Sequence, residues 1–212
     1  QPPERKMVDL PRAALVLVID KSGSMEGEKM KMAKEAAIAA AEALAPDDLL
    51  GVIAFDAQPY WVLPLTAANR KDRVVDLVSR LATGGDTNIH PALKAAHDCL
   101  AGADDIHLKH VILLSDGMTK IADHKTLVEA MVGNRITVSS IGIGEDYDRR
   151  LMPRIAQWGK GNFVSAVDPK SIPQYVICDA TRVLRVHERM ELLQHPPEQT
   201  EEPELDPGPP PE

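Results

Sequence analysis

Three oxygen-bearing side chains, Asp20, Ser22 and Ser24, stand at alternate positions where the apolar run of "VLVIDKSGSMEG" (16–27) ends. Alternate side chains of an extended backbone point the same way, so these oxygens can converge on one point just beyond a strand. A small positive ion suits that point. Further along, "GGDTN" (84–88) sets Asp86, Thr87 and Asn88 behind a glycine pair, and "LLSDG" (113–117) closes another apolar run with Ser115 and Asp116. Carboxylate, hydroxyl and water oxygens, with no sulfur or imidazole among them, favour Mg²⁺, Mn²⁺ or Ca²⁺ over zinc or copper.

The elements that must hold these residues are legible as periodicities. The apolar runs at 13–19, 49–55, 110–115 and 136–143 read as strands buried on both faces, as parallel sheets require. Met30, Ala33, Ala37, Ala41 and Leu44 recur at helical intervals, and Pro46 ends that helix. Further helices are expected near 70–82, 90–101, 123–132, 148–158 and 170–186. "YWVLPL" (60–65) follows its neighbour so closely that it pairs with it antiparallel, and its proline suits an edge. The class is therefore α/β: Rossmann-like and doubly wound, a mostly parallel central sheet with one antiparallel edge strand and helices on both faces. Such sheets bind ligands in the crevice outside the carboxyl ends of their strands, the rim where these three loops are expected to meet.

"DKSGSM", "GGDTN" and "LLSDG", in that order, resemble the von Willebrand factor type A domain and its metal-ion-dependent adhesion site, over about residues 12 to 186. The resemblance implies that Asp20 anchors the site, that Ser22 and Ser24 are direct hydroxyl ligands, and that Thr87 and Asp116 coordinate directly or through water. It further implies a divalent cation, Mg²⁺ first, and a protein partner whose Asp or Glu completes the coordination, so that the domain recognises and does not catalyse. Asp86 departs from the small neutral residue that relatives often carry before the threonine; it either strengthens cation retention or faces solvent. "GNFVSAVDPKSIPQ" (161–174) and "PRAALVLVIDKSGSM" also resemble type A domains of bacterial membrane proteins that carry a glutamine-amidotransferase-like region, which would make this chain part of a membrane-associated protein.

Plainer readings compete. The serines of "DKSGSM" can cap the following helix, Glu26 and Glu28 suit a helix start, and His90 suits a helix start or solvent. Met25 belongs to the packing or to a contact surface beside the rim. Tyr60 and Trp61 face opposite sides of a strand, one toward the core and one toward the rim. Two functions differ from metal-dependent adhesion: a scaffold that binds partners without metal, and a Mg²⁺-dependent phosphatase with Asp20 as nucleophile. The phosphatase wants a second acid where Ser22 stands and a cation toward the phosphate, whereas Lys21 points away. Phosphate-loop, dinucleotide and nucleophile-elbow motifs are missing from the sequence.

A net charge of −8 over 212 residues argues against nucleic acid as a partner. No apolar run approaches the ~20 residues that span a bilayer, so direct membrane insertion is not expected and the chain as given is expected to be soluble. Cys99 and Cys178 read as free, mostly buried thiols, with a disulfide open to them in an oxidising compartment. Residues 1–11 read as a lead-in, 12–187 as the folded domain and 188–212 as a disordered tail or linker. The stretch 195–212 holds seven prolines and six acids without Lys or Arg.

Overall fold

The computed structural model describes residues 13–194. The expected lead-in and the Pro/acid-rich stretch from 195 onward lie outside the described residues. Six strands, β1 (Ala13–Asp20), β2 (Leu49–Phe55), β3 (Pro59–Ala67), β4 (Leu108–Ser115), β5 (Ile136–Ile143) and β6 (Lys160–Ala166), form one sheet in the order β3-β2-β1-β4-β5-β6. Only the β2–β3 pairing is antiparallel. This is the Rossmann-like arrangement that the pattern predicts.

Alternation along β1 divides the core. Leu15, Leu17 and Ile19 face one side, where α1 (Glu28–Ala43), α2 (Lys71–Ser79) and α6 (Ile172–Gln194) pack. Ala14, Val16 and Val18 face the other, against α3 (Ile89–Ala101), α4 (His124–Gly133) and α5 (Leu151–Trp158). On α1 the buried stripe is largely alanine (Ala33, Ala36, Ala37, Ala40 and Ala41), and such small side chains let a helix lie close to its neighbours. Its cap, Leu44, is extended, and the helix ends two residues before Pro46.

Several expectations change. β6 was not legible as a strand because "KGNFVSA" is half-exposed and polar, which suits an edge and gives no apolar run. Tyr60 and Trp61 are 49% and 38% exposed, so neither is core. Met25 is fully buried and contributes no contact surface. The cysteines are free, but Cys99 is half-buried and Cys178 exposed. The last helix continues past 186 to Gln194.

The order of the sheet reverses at β1: the chain leaves it for β2 on one side, and β4 flanks it on the other. The crevice of a doubly wound sheet opens at this switch point. Register sets Ile19 beside Leu114, so Asp20 and Ser115 end the two central strands side by side.

At the opposite end of the strands, His110 of β4 bridges Thr137 Oγ1 at 2.7 Å and Asp179 Oδ2 of α6 at 2.8 Å. Asn162 of β6 donates to Asp179 Oδ1 at 2.7 Å. α6 is thereby joined to three strands by polar contacts as well as by its apolar face.

Candidate metal centre

Asp20 ends β1 completely buried, and both of its carboxylate oxygens accept hydrogen bonds. Ser22 N–H donates to Oδ1 at 2.8 Å, and Ser115 Oγ donates to Oδ2 at 2.6 Å. Burial pushes the Asp20 carboxyl up from the usual aspartate range; these hydrogen bonds pull the other way without cancelling the rise, and the nearby Asp116 charge adds to it. Two carboxylates held this close without solvent call for positive charge.

The loop after β1 brings in the serines. Ser22 Oγ and Ser24 Oγ lie 3.1 Å apart, and Ser24 Oγ donates to Asp116 Oδ1 at 2.7 Å. Neither serine caps α1, whose N-cap is Gly27, so helix capping does not account for them. Glu28 does occupy the first turn of α1.

The third loop is threaded against the first. Gly84 N–H donates to Lys21 O at 2.7 Å, and Gly23 N–H to Gly85 O at 3.3 Å. Gly85 has φ +85°, and a Cβ there would lie 2.8 Å from the Asp56 Cβ, so this position admits only glycine without displacement. Gly117 is restricted by its neighbour alone: a Cβ there would lie 2.8 Å from Thr87 Oγ1. Thr87 therefore lies against the residue that follows Asp116. Ile89 N–H, donating to Thr119 Oγ1 at 2.9 Å, ties the start of α3 to the loop after β4.

Asp20, Ser22, Ser24, Thr87 and Asp116 are thus carried to one end of the sheet on three interlocked loops. Asp86 does not join them: its side chain is 76% exposed, with Lys120 at 3.9 Å. His90 instead meets the His124 ring edge-on at 5.6 Å. Lys21 turns away from Asp20, as expected, to pair with Asp56 Oδ2 at 2.5 Å and lie over the Tyr60 ring. Partial burial raises the Asp56 carboxyl, but Lys21 and the Gln58 N–H more than offset this and hold it below the usual range.

Two participants were given no role from the sequence. Ser115 was visible only as a strand-end hydroxyl, since its bond to Asp20 depends on the register of β1 with β4. Lys29, on the first turn of α1, reaches Asp116 Oδ2 at 2.6 Å. Nothing in the helical pattern distinguishes it from the neighbouring Lys31 and Lys34.

Among the described residues no three His, Cys, Asp or Glu side chains group as a metal cluster. The candidate set instead joins two acids to three hydroxyls, a hard-oxygen set that fits a small divalent cation. The ammonium of Lys29 on Asp116 shows that this crevice accepts positive charge. Among the described residues no helix is long and apolar enough to cross a membrane.

Comparison with known proteins agrees with this architecture. The chain is 29% identical over 158 residues to the uncharacterized protein sll0103 of Synechocystis, covering 73% of this chain and 38% of that protein. It thus spans well under half of that relative's length. A von Willebrand factor type A structure from Catenulispora acidiphila superposes with a TM-score of 0.77 at 28% identity, covering 82% of this chain and 43% of that one. Proximal thread matrix protein 1 of the mussel byssus, in a structure described as having a zinc-occupied MIDAS motif, shares the fold with a TM-score of 0.69 at 19% identity, covering 81% and 48% of the two chains. The family model for the von Willebrand factor type A domain matches residues 14–176, and the chain belongs to that family.

Proposed function

We propose that this domain is a divalent-cation-dependent protein-binding module, with Asp20, Ser22, Ser24, Thr87 and Asp116 as the cation's ligands. Mg²⁺ suits the set best, and Mn²⁺ or Ca²⁺ also match its oxygens. The observation that carries the reading is the convergence of two buried carboxylates and three hydroxyls, from three loops, at the switch point of the sheet. A bound cation would supply a positive centre on which a partner's Asp or Glu can close. Asp20 would anchor it, Ser115 and the Ser22 N–H would orient Asp20, and Ser24 would fix Asp116.

Catalysis fits less well. A phosphatase of the kind that uses an aspartyl nucleophile needs a second acid where Ser22 stands, and of the two nearby lysines Lys21 is committed to Asp56 and Lys29 to Asp116. One observation favours a metal-independent scaffold: Lys29 already neutralises Asp116.

Panning a random peptide display library against the immobilised domain in Mg²⁺, with elution by EDTA, tests the function. Eluted peptides sharing an Asp or Glu, and lost when Thr87 is replaced by Ala, are the expected result. Peptides retained equally in EDTA would establish the scaffold instead.

A further inference from the structure

Lys29 is the single cationic side chain that the described contacts bring onto the candidate ligands. It leaves the first turn of α1, and its Cε and Nζ pass within 3.5 and 3.6 Å of the Cβ position of Gly144. Its Nζ then meets Asp116 Oδ2 at 2.6 Å, with Asp116 fully buried and Lys29 27% exposed. Gly144 (φ +72°) follows β5, and its N–H donates to Ala166 O at 2.8 Å, which holds the backbone that the lysine passes. A Cβ at Gly144 would stand in ordinary van der Waals contact with the lysine, so the side chain lies along this backbone on its way to Asp116.

The two oxygens of Asp116 are divided. Ser24 takes Oδ1 and Lys29 takes Oδ2. Two carboxylates and one ammonium leave the crevice with a net charge near −1, where the carboxylates alone would give −2. A divalent cation held by these ligands would have to share Asp116 with that ammonium.

We propose that Lys29 is a tethered competitor of the metal: its ammonium neutralises Asp116 when no cation is bound and weakens cation binding by repulsion. This inference rests on the metal-binding reading above. It gives the domain a use for its lysine, because a fold whose buried acids are already half balanced stays intact without metal and takes up the ion only at higher concentration. Cation binding would then respond to the metal level instead of being permanent.

The test compares wild type with Lys29→Met, which keeps length and loses charge, and Lys29→Arg, which keeps charge. Mg²⁺ and Mn²⁺ are titrated calorimetrically into metal-stripped protein, and thermal melting is followed with and without metal. A unit charge sharing a carboxylate with a divalent ion, in a water-like to surface dielectric, changes affinity by about tenfold or more. Lys29→Met is therefore expected to bind at least about tenfold tighter, to melt lower than wild type without metal, and to gain more from metal. Lys29→Arg should stay close to wild type. Should Lys29→Met prove too unstable to titrate, Lys29→Gln serves in its place. Equal or weaker binding by the neutral variants overturns the competitor role while leaving the metal site standing. No binding by wild type or by any variant overturns both.

Discussion

Ser24 Oγ donates to Asp116 Oδ1 at 2.7 Å across 92 residues of sequence, closing the loop after β1 onto the end of β4. A hydroxyl that orients a buried carboxylate contributes both to the fold and to any ion the carboxylate holds. Hydrogen bonds to charged groups are worth about 1.5–3 kcal/mol, and the exposure of Ser24 places it at the lower end. Ser24→Ala should cost about 1.5 kcal/mol in urea unfolding and weaken calorimetric Mg²⁺ binding by about tenfold. A variant with wild-type affinity would remove Ser24 from the ligand set.

Gly85 tests the third loop. Gly85→Ala forces a left-handed backbone on alanine and drives its Cβ to 2.8 Å from the Asp56 Cβ, so a loss of about 1–2 kcal/mol is expected. Because Thr87 follows on the same loop, cation affinity should fall with stability. A stability loss with unchanged affinity would show that the "GGDTN" loop supports the fold alone.

The far end of the sheet predicts an acid response. Burial raises the Asp179 carboxyl, but the His110, Ser139 and Asn162 hydrogen bonds and the His110 charge outweigh it and hold Asp179 below its ordinary 3.8. A carboxyl depressed in the folded state contributes stability that is present above its unfolded pKa and lost as pH falls through the folded one. Asp179→Asn should therefore lower stability near neutrality and flatten the loss of stability on acidification below about pH 4. Urea unfolding from pH 7 down to pH 3 reads both; an unchanged acid limb would assign the limb to other carboxyls.

Much of this was legible because parallel sheets bury their strands. "ALVLVID" and "HVILLS" announce central strands through unbroken apolar runs, and a doubly wound sheet then fixes which ends face the crevice. Asp20, Ser22 and Ser24 followed from strand parity; topology brought the loops of Thr87 and Asp116 to the same rim, and the family resemblance singled out those two residues within them. What escaped depends on register or on long reach. Ser115 meets Asp20 only because β1 and β4 pair as they do, and Lys29 reaches Asp116 from a helix whose sequence shows several equivalent lysines. β6 escaped because an edge strand need not be apolar, and the exposure of both Tyr60 and Trp61 has the same origin at the opposite edge.

The central claim is that this crevice holds one divalent cation, and calorimetric titration of Mg²⁺ into metal-stripped protein, beside Asp20→Asn, tests it most directly. Binding to the native state alone stabilises by about 2.7 kcal/mol at 100 times Kd, so melting provides a second reading of the same event. The account predicts saturable one-to-one binding with a rise in Tm in wild type, and neither in a folded Asp20→Asn. Binding that survives Asp20→Asn, or no binding by Mg²⁺, Mn²⁺ or Ca²⁺ in the folded wild type, would contradict it.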